Sequence, residues 1–187
     1  MLMEYVRLFR TVWLAGRPGG GKTSLAIAMS LQLVAGGYAD KICSNTPLRI
    51  GTLEGEIDAK EAQALHDVAI ILDEAWQHLG KGAKLAERDA WFAYRRHHNQ
   101  YLILPSVLDL CPMASNFIVE RVFNWSPFGL PLWIYGYSLQ ATKLKGKGGR
   151  RVTKADIGKY YWWHPARVFP YYDNKYNPGE AYFVYSF

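Results

Sequence analysis

GRPGGGKTS, residues 16–24, is the stretch on which the rest of the chain turns. Gly16, Gly21, Lys22 and Thr23 satisfy G-x-x-x-x-G-K-[ST]. In that pattern backbone N–H groups wrap around phosphates, the lysine reaches the outer phosphate oxygens and the hydroxyl meets Mg²⁺. Average composition produces such a match by chance in roughly one chain in a couple of hundred of this length. The flanks strengthen it. RTVWLA, residues 10–15, has the pattern of a short buried strand. SLAIAMSLQLVAGG, residues 24–37, has the apolar spacing of a helix that stops at Gly36-Gly37. Strand, glycine loop and helix in that order set the positive end of a helix dipole against an anion. The expected nucleotide-binding set is therefore Gly16, Arg17, Pro18, Gly19, Gly20, Gly21, Lys22, Thr23 and Ser24, with ATP and Mg²⁺ as cofactors and Thr23 on the metal.

A second motif follows fifty residues on. DVAIILDEAW, residues 67–76, is an apolar run too short for a helix that ends in two adjacent acids. Asp73 is expected at the carboxyl end of a buried parallel strand, holding Mg²⁺ through water. Glu74, one residue beyond, is positioned to orient and activate a water, which suits hydrolysis better than transfer to a small molecule. KLAERDAWFAYRRHHNQYLILPSV, residues 84–107, then predicts a helix running into another buried strand at 102–104. Ser106 follows that strand and Asn99 precedes it. Arg95, Arg96, His97 and His98 offer either an arginine finger for a neighbouring subunit or a basic helix end facing its own dipole.

The size is that of one domain with a substantial core: 187 residues. Cys43 and Cys111 lie far apart without metal-ligand spacing, so reduced thiols are expected rather than a disulfide framework. Arg7 and Arg10 interrupt the apolar N-terminus and the phosphate loop follows at once, so no secretory signal is expected. The longest uncharged run, VFNWSPFGLPLWIYGYSLQAT at 122–142, contains Asn124, Ser126, Pro127, Gly129, Pro131 and Gly136. It is read as paired strands with a turn rather than a membrane span. There is no internal repeat.

The net charge of +6 is uneven: residues 1–100 hold 12 Lys/Arg against 11 Asp/Glu, and residues 101–187 hold 10 against 5. KLKGKGGRRVTK, residues 143–154, supplies most of the excess. Its Lys143, Lys145, Lys147, Arg150, Arg151 and Lys154 surround three glycines, the composition of a basic hairpin tip that meets nucleic-acid phosphates without reading bases; a solvated loop with no partner is the plainer reading. The same half holds 20 of the 28 aromatic residues. YYWWH (160–164) and FPYYDNKY (169–176) fit a small antiparallel sheet or a subunit interface better than a base-stacking platform.

Taken together, GRPGGGKTSLA, KICSNTPL (41–48), VAIILDEAW and RRHHNQYLILPSV resemble the zonula occludens toxin-like and filamentous-phage assembly ATPases. These belong to the FtsK/HerA superfamily of P-loop ATPases, which also contains viral genome-packaging ATPases. Asn45-x-Pro47 after the second strand and Arg96-His97 before the strand at 102–104 carry much of the resemblance. It covers roughly residues 8–125, and YDNKYNPGEAYF (172–183) is similar to the closing strand region of the group.

The resemblance implies a fold and a set of roles. The fold is an α/β P-loop NTPase of the ASCE, RecA-like kind, a three-layer sandwich around a mostly parallel sheet, followed by a C-terminal antiparallel β extension. The strand after the acidic one is expected to lie between it and the strand of the phosphate loop, with a γ-phosphate sensor at its carboxyl end. Where the group commonly has Gln, this chain reads Pro105-Ser106-Val107, so the role falls to Ser106. The implied catalytic residues are Lys22, Glu74, Arg96 acting in trans and Ser106. One domain spans 1–187, with a core at about 8–125 and a basic, aromatic extension at about 126–187. The assembly ATPases continue into a transmembrane helix, whereas this chain stops at Phe187, which favours the packaging motors. The expected function is an ATP-driven translocase that pumps DNA, most simply double-stranded, into a preformed capsid. It would act as a homo-oligomeric, commonly hexameric, ring with capsid or portal-vertex proteins, in the host cytoplasm or on the virion. The competing readings are an extrusion ATPase at the membrane, a small-molecule P-loop kinase and a scaffold that binds ATP as a structural ligand.

Overall fold

The computed structural model describes residues 2–16, 18–79, 92, 95–108, 110, 117–121, 132–143, 150–162, 171 and 181–187, and the backbone alone for 117–121, 132–143 and 150–162. An N-terminal helix α1 (Leu2–Phe9) leads into β1 (Thr11–Ala15), the glycine loop and α2 (Lys22–Ala35). Next come β2 (Lys41–Ser44), β3 (Thr52–Ile57), α3 (Ala59–Ala64), β4 (Val68–Ile71), the short α4 (Trp76–Leu79) and β5 (Tyr101–Ser106). The last strands are β6 (Phe117–Arg121), β7 (Leu132–Lys143), β8 (Arg150–Trp162) and β9 (Tyr182–Ser186). The expected strand at 10–15 and the helix ending at Gly36-Gly37 are both present. The helix expected upstream of β5 falls mostly on residues outside those described.

Among the described residues one nine-stranded sheet runs in the order β3-β9-β2-β4-β5-β1-β6-β7-β8. Its middle, β2-β4-β5-β1-β6, is parallel throughout. β5 lies between β4 and β1, the position expected for the strand after the acidic one, because Ile71 pairs with Ile103 and Ala15 with Ser106. Parallel strands covered on both faces carry continuous apolar runs, and VAII in β4 and all six residues of β5 are buried.

Side-chain alternation along these strands builds two cores. Val12, Leu14, Ile42, Ala69, Ile71 and Ile103 point to one face, under Leu25, Ile27, Met29 and Leu33 of α2 and Val6 of α1. Trp13, Cys43, Val68, Ile70, Leu102 and Leu104 point to the other, with Ala62 of α3, Ala75 and Leu79. The result is a three-layer α/β/α sandwich of the P-loop NTPase type with antiparallel additions at both edges.

At one edge β7 runs antiparallel to β6 and β8 antiparallel to β7, with Lys143 opposite Arg150 in the last pair of that ladder. At the other edge β9 enters antiparallel between β2 and β3. The final strand of the chain thus lies in the core sheet, far from the β7–β8 ribbon that precedes it. Gly51 permits this close approach: with φ +50, a Cβ there would collide with the carbonyl of Ser186.

Candidate active site

The site forms where β1, β4 and β5 end at their carboxyl edge. β1 stops at Ala15 and the chain turns through the glycine loop, with Gly19 at φ +69 and Gly21 at φ +77. Such left-handed backbone is cheap only for glycine. Gly21 is the N-cap of α2, no side chain caps that helix, and its first helical bond is Leu25 N–H to the Gly21 carbonyl at 3.0 Å. The positive end of the helix dipole therefore faces the loop. Lys22, the first residue of α2, folds back across it, its Cδ 3.9 Å from where a Cβ on Gly16 would sit. Pro18 and Gly19 are exposed and Ser24 is fully buried. Arg17 lies outside the described residues.

The two motifs, fifty residues apart in sequence, meet here. The Thr23 hydroxyl donates to Asp73 Oδ2 at 2.8 Å. Because its hydrogen goes to the carboxylate, the Thr23 oxygen keeps lone pairs for a cation, and the pair forms the hard oxygen donor set that Mg²⁺ takes. Burial pushes the Asp73 carboxyl above its ordinary range; the Thr23 hydroxyl and the Glu74 amide pull it back, the Glu74 charge adds to the rise and Lys22 opposes it.

Two residues complete the site that no sequence argument had given a role. Asn45, fully buried just past β2, grips the Asp73 backbone from both sides: its Nδ2 donates to the Asp73 carbonyl at 2.9 Å and its Oδ1 accepts from the Asp73 N–H at 2.7 Å. The Asn-x-Pro stretch was visible as a mark of resemblance, but nothing local indicates that its amide reaches a residue 28 positions away. Trp76 is the other. Its indole Nε1–H donates to Glu74 Oε2 at 2.8 Å. Glu74 itself adopts φ +48, rare for a residue with a side chain, and its N–H donates to Asp73 Oδ1 at 3.0 Å. Strain of this kind gathers at functional sites.

The remaining candidates divide by their place on the sheet. Ser106 ends β5 beside Ala15, at the level of the loop; its hydroxyl donates to the Leu108 carbonyl at 2.7 Å and is fully buried. Arg95 to Asn99 form the turn at the amino end of β5, so Arg96, which is exposed, sits about 20 Å of strand away from the site of its own subunit. Arg95 is spent locally, donating to the Phe92 carbonyl at 2.8 Å and stacking on the Phe92 ring; burial and the adjacent Arg96 lower its pKa. Asn99 lies at the same far end, bonded to Arg10 and Asp67. Lys143, Arg150, Arg151 and Lys154 lie on the paired ends of β7 and β8, while Lys145 and Lys147 fall outside the described residues. Cys43 is a free thiol, buried in β2, and burial pushes it up to about 12, so it carries no nucleophilic chemistry near neutral pH. No helix among the described residues is long and apolar enough to cross a membrane.

No protein-family model and no curated protein matches this chain. Among solved structures it is similar to the genome packaging NTPase B204 from Sulfolobus turreted icosahedral virus 2. The complex with ATP-gammaS aligns at 14% identity with a TM-score of 0.49, covering 77% of this chain and 96% of that one. The complex with AMPPCP aligns at 16% identity and 0.49 over the same shares. The complex with AMP aligns at 14% and 0.48.

Proposed function

We propose that this chain hydrolyses ATP at the loop of residues 16–24 and spends the energy on moving DNA, as a genome-packaging motor that assembles into a homo-oligomeric ring. The observation that supports the hydrolytic part best is the meeting of Thr23 with Asp73 under the uncapped end of α2, with Glu74 one residue further on. The loop and Lys22 bind the phosphates. Thr23, and Asp73 through water, would hold Mg²⁺, which when bound neutralises phosphate charge. Glu74 accepts the proton of the attacking water, the water oxygen bonds to the γ-phosphorus, and the β–γ bridging oxygen leaves with ADP.

Arg96 serves this scheme only in trans, because a strand's length separates it from its own loop. An exposed guanidinium presented to a neighbour's γ-phosphate stabilises the charge that develops there. Ser106 stands beside the loop strand and is the proposed sensor of the γ-phosphate, acting through the turn that its hydroxyl holds.

Coupling to DNA is supported by the β7–β8 ribbon. Its two strands carry Lys143, Arg150, Arg151 and Lys154 toward one end of their ladder, and Lys145 and Lys147 lie between them in sequence. Backbone-directed contacts of this kind are salt-dependent and indifferent to sequence. The test is steady-state ATP hydrolysis with and without double-stranded DNA, comparing the native chain with one in which these six residues are made neutral. DNA-stimulated turnover that loses its stimulation and salt dependence in the neutral chain is the expected result. Turnover indifferent to DNA in the native chain ends the packaging reading.

A further inference from the structure

The two acids of the site are each held by a different group. Asp73 is clamped through its backbone by Asn45, whereas Glu74 is held through its side chain by Trp76. The backbone that delivers the indole is rigid. The Ala75 N–H donates to the Pro105 carbonyl at 3.0 Å, the Gln77 N–H to the Glu74 carbonyl at 3.0 Å and the Leu79 N–H to the Ala75 carbonyl at 2.8 Å. Ala75 and Leu79 are fully buried and pin this turn to the core. Trp76, between them, is 36% exposed, so packing alone does not fix its ring. The carboxylate bond supplies the missing constraint.

We infer that Trp76 is a positioning residue for the hydrolytic carboxylate. It ties down Oε2 of Glu74 and leaves Oε1 to accept the proton of the attacking water. The inference rests on the reading of Glu74 as the base. A half-buried glutamate has many side-chain conformations, and freezing them costs conformational entropy. A base fixed before the water arrives has already met that cost, and misplacement by a fraction of an ångström is expensive. The choice of residue fits the task. An indole N–H donates and never accepts, so it does not compete for the proton and stays a donor at every pH of interest.

The experiment compares Trp76→Phe and Trp76→His with the native protein and Glu74→Gln. Phe keeps an aromatic ring and loses the donor. Neutral His places its Nε2 on the five-membered ring where the indole Nε1 stands, and so restores one. Trp76→Phe is expected to lower kcat by about tenfold or more with KM for ATP nearly unchanged, and Trp76→His to recover part of the loss. In a ¹H–¹⁵N spectrum the Trp76 indole resonance, assigned by its absence from Trp76→Phe, is expected to shift upfield in Glu74→Gln as its charged acceptor is lost. Unchanged kcat in Trp76→Phe, failure of His to recover any activity, or an indole resonance insensitive to Glu74→Gln each overturns the inference. If Glu74→Gln itself hydrolyses ATP normally, the assignment of Glu74 as base is what has failed, and the role of Trp76 falls with it.

Discussion

The two ends of the parallel sheet are built from similar parts and do opposite things with them. At the carboxyl end, Gly16, Gly19, Gly21 and Glu74 have positive φ; at the amino end, Arg10, Asp67 and Asn99 do. At the amino end the polar groups satisfy one another: Arg10 Nη1 donates to Asn99 Oδ1 at 2.5 Å and Asn99 Nδ2 to Asp67 Oδ1 at 2.6 Å. At the carboxyl end Thr23, Asn45, Asp73, Glu74 and Trp76 also bond one another, but they do so beside the N-terminus of α2, which has only Gly21 as its cap.

α2 shows the same contrast along its own length. Its C-terminus is closed by backbone bonds, Gly36 N–H to the Gln32 carbonyl, Gly37 N–H to Val34 and Tyr38 N–H to Leu33, whereas no side chain caps its N-terminus. α3 shows what a helix does when its start has only a structural duty: the Asp58 carboxylate accepts from Lys60 N and Glu61 N, and Glu61 returns a bond to the Asp58 N–H. The difference teaches that the start of α2, next to two acids held from behind, is built unlike a helix start with only a structural duty, which is what the proposed phosphate site requires. Polar residues at a strand end are not enough.

The largest effect is expected where the carboxyl end meets the reaction. Lys22→Ala and Glu74→Gln should each lower steady-state hydrolysis by roughly 10²-fold or more, but only Lys22→Ala should also weaken ATP binding, measured by titration with a fluorescent analogue. Equal loss of binding in both variants would remove the distinction between a phosphate-holding residue and a base.

Asn45→Ala comes next. It strips partners from both the N–H and the carbonyl of Asp73, so thermal unfolding should show a loss of about 2–3 kcal/mol together with reduced kcat. A stable variant with full activity would show that the clamp is dispensable.

At the amino end, Asn99→Ala should cost about 1–2 kcal/mol, through the lost side-chain bonds to Arg10, Asp67 and Tyr38 and a left-handed backbone that alanine resists, and leave kcat unchanged. A fall in kcat at full folding would break the comparison, since this cluster would then serve the reaction beyond the role in trans proposed for Arg96. The smallest effect is expected from Asp58→Ala, about 1 kcal/mol from a lost capping box, read by denaturant titration with hydrolysis unaffected.

The carboxyl end was legible in the sequence because its chemistry is local. A phosphate loop uses consecutive backbone N–H groups, so nine adjacent residues announce it. An apolar run ending in Asp73-Glu74 shows its own strand end. The buried strands were legible for the same reason, because parallel strands covered on both faces need unbroken apolar runs. α1 was not foreseen. Its apolar residues are broken by Glu4 and Arg7, and it is held by Val6 packing against the α2 face of the sheet, a contact that exists only after folding. Asn45 and Trp76 were missed for different reasons. Asn45 acts across 28 residues through backbone atoms of its partner, and Trp76 bonds a Glu74 whose φ of +48 no sequence rule assigns to glutamate.

By itself, then, the sequence determined the glycine loop, the acidic strand end and the strands that carry them, since each is a property of contiguous residues. Only the tertiary structure decided that β9 returns between β2 and β3, and that Thr23 bonds Asp73 while Asn45 and Trp76 hold the two acids. Sheet order and side-chain reach depend on which distant segments bury their surfaces together, and that choice belongs to the whole chain.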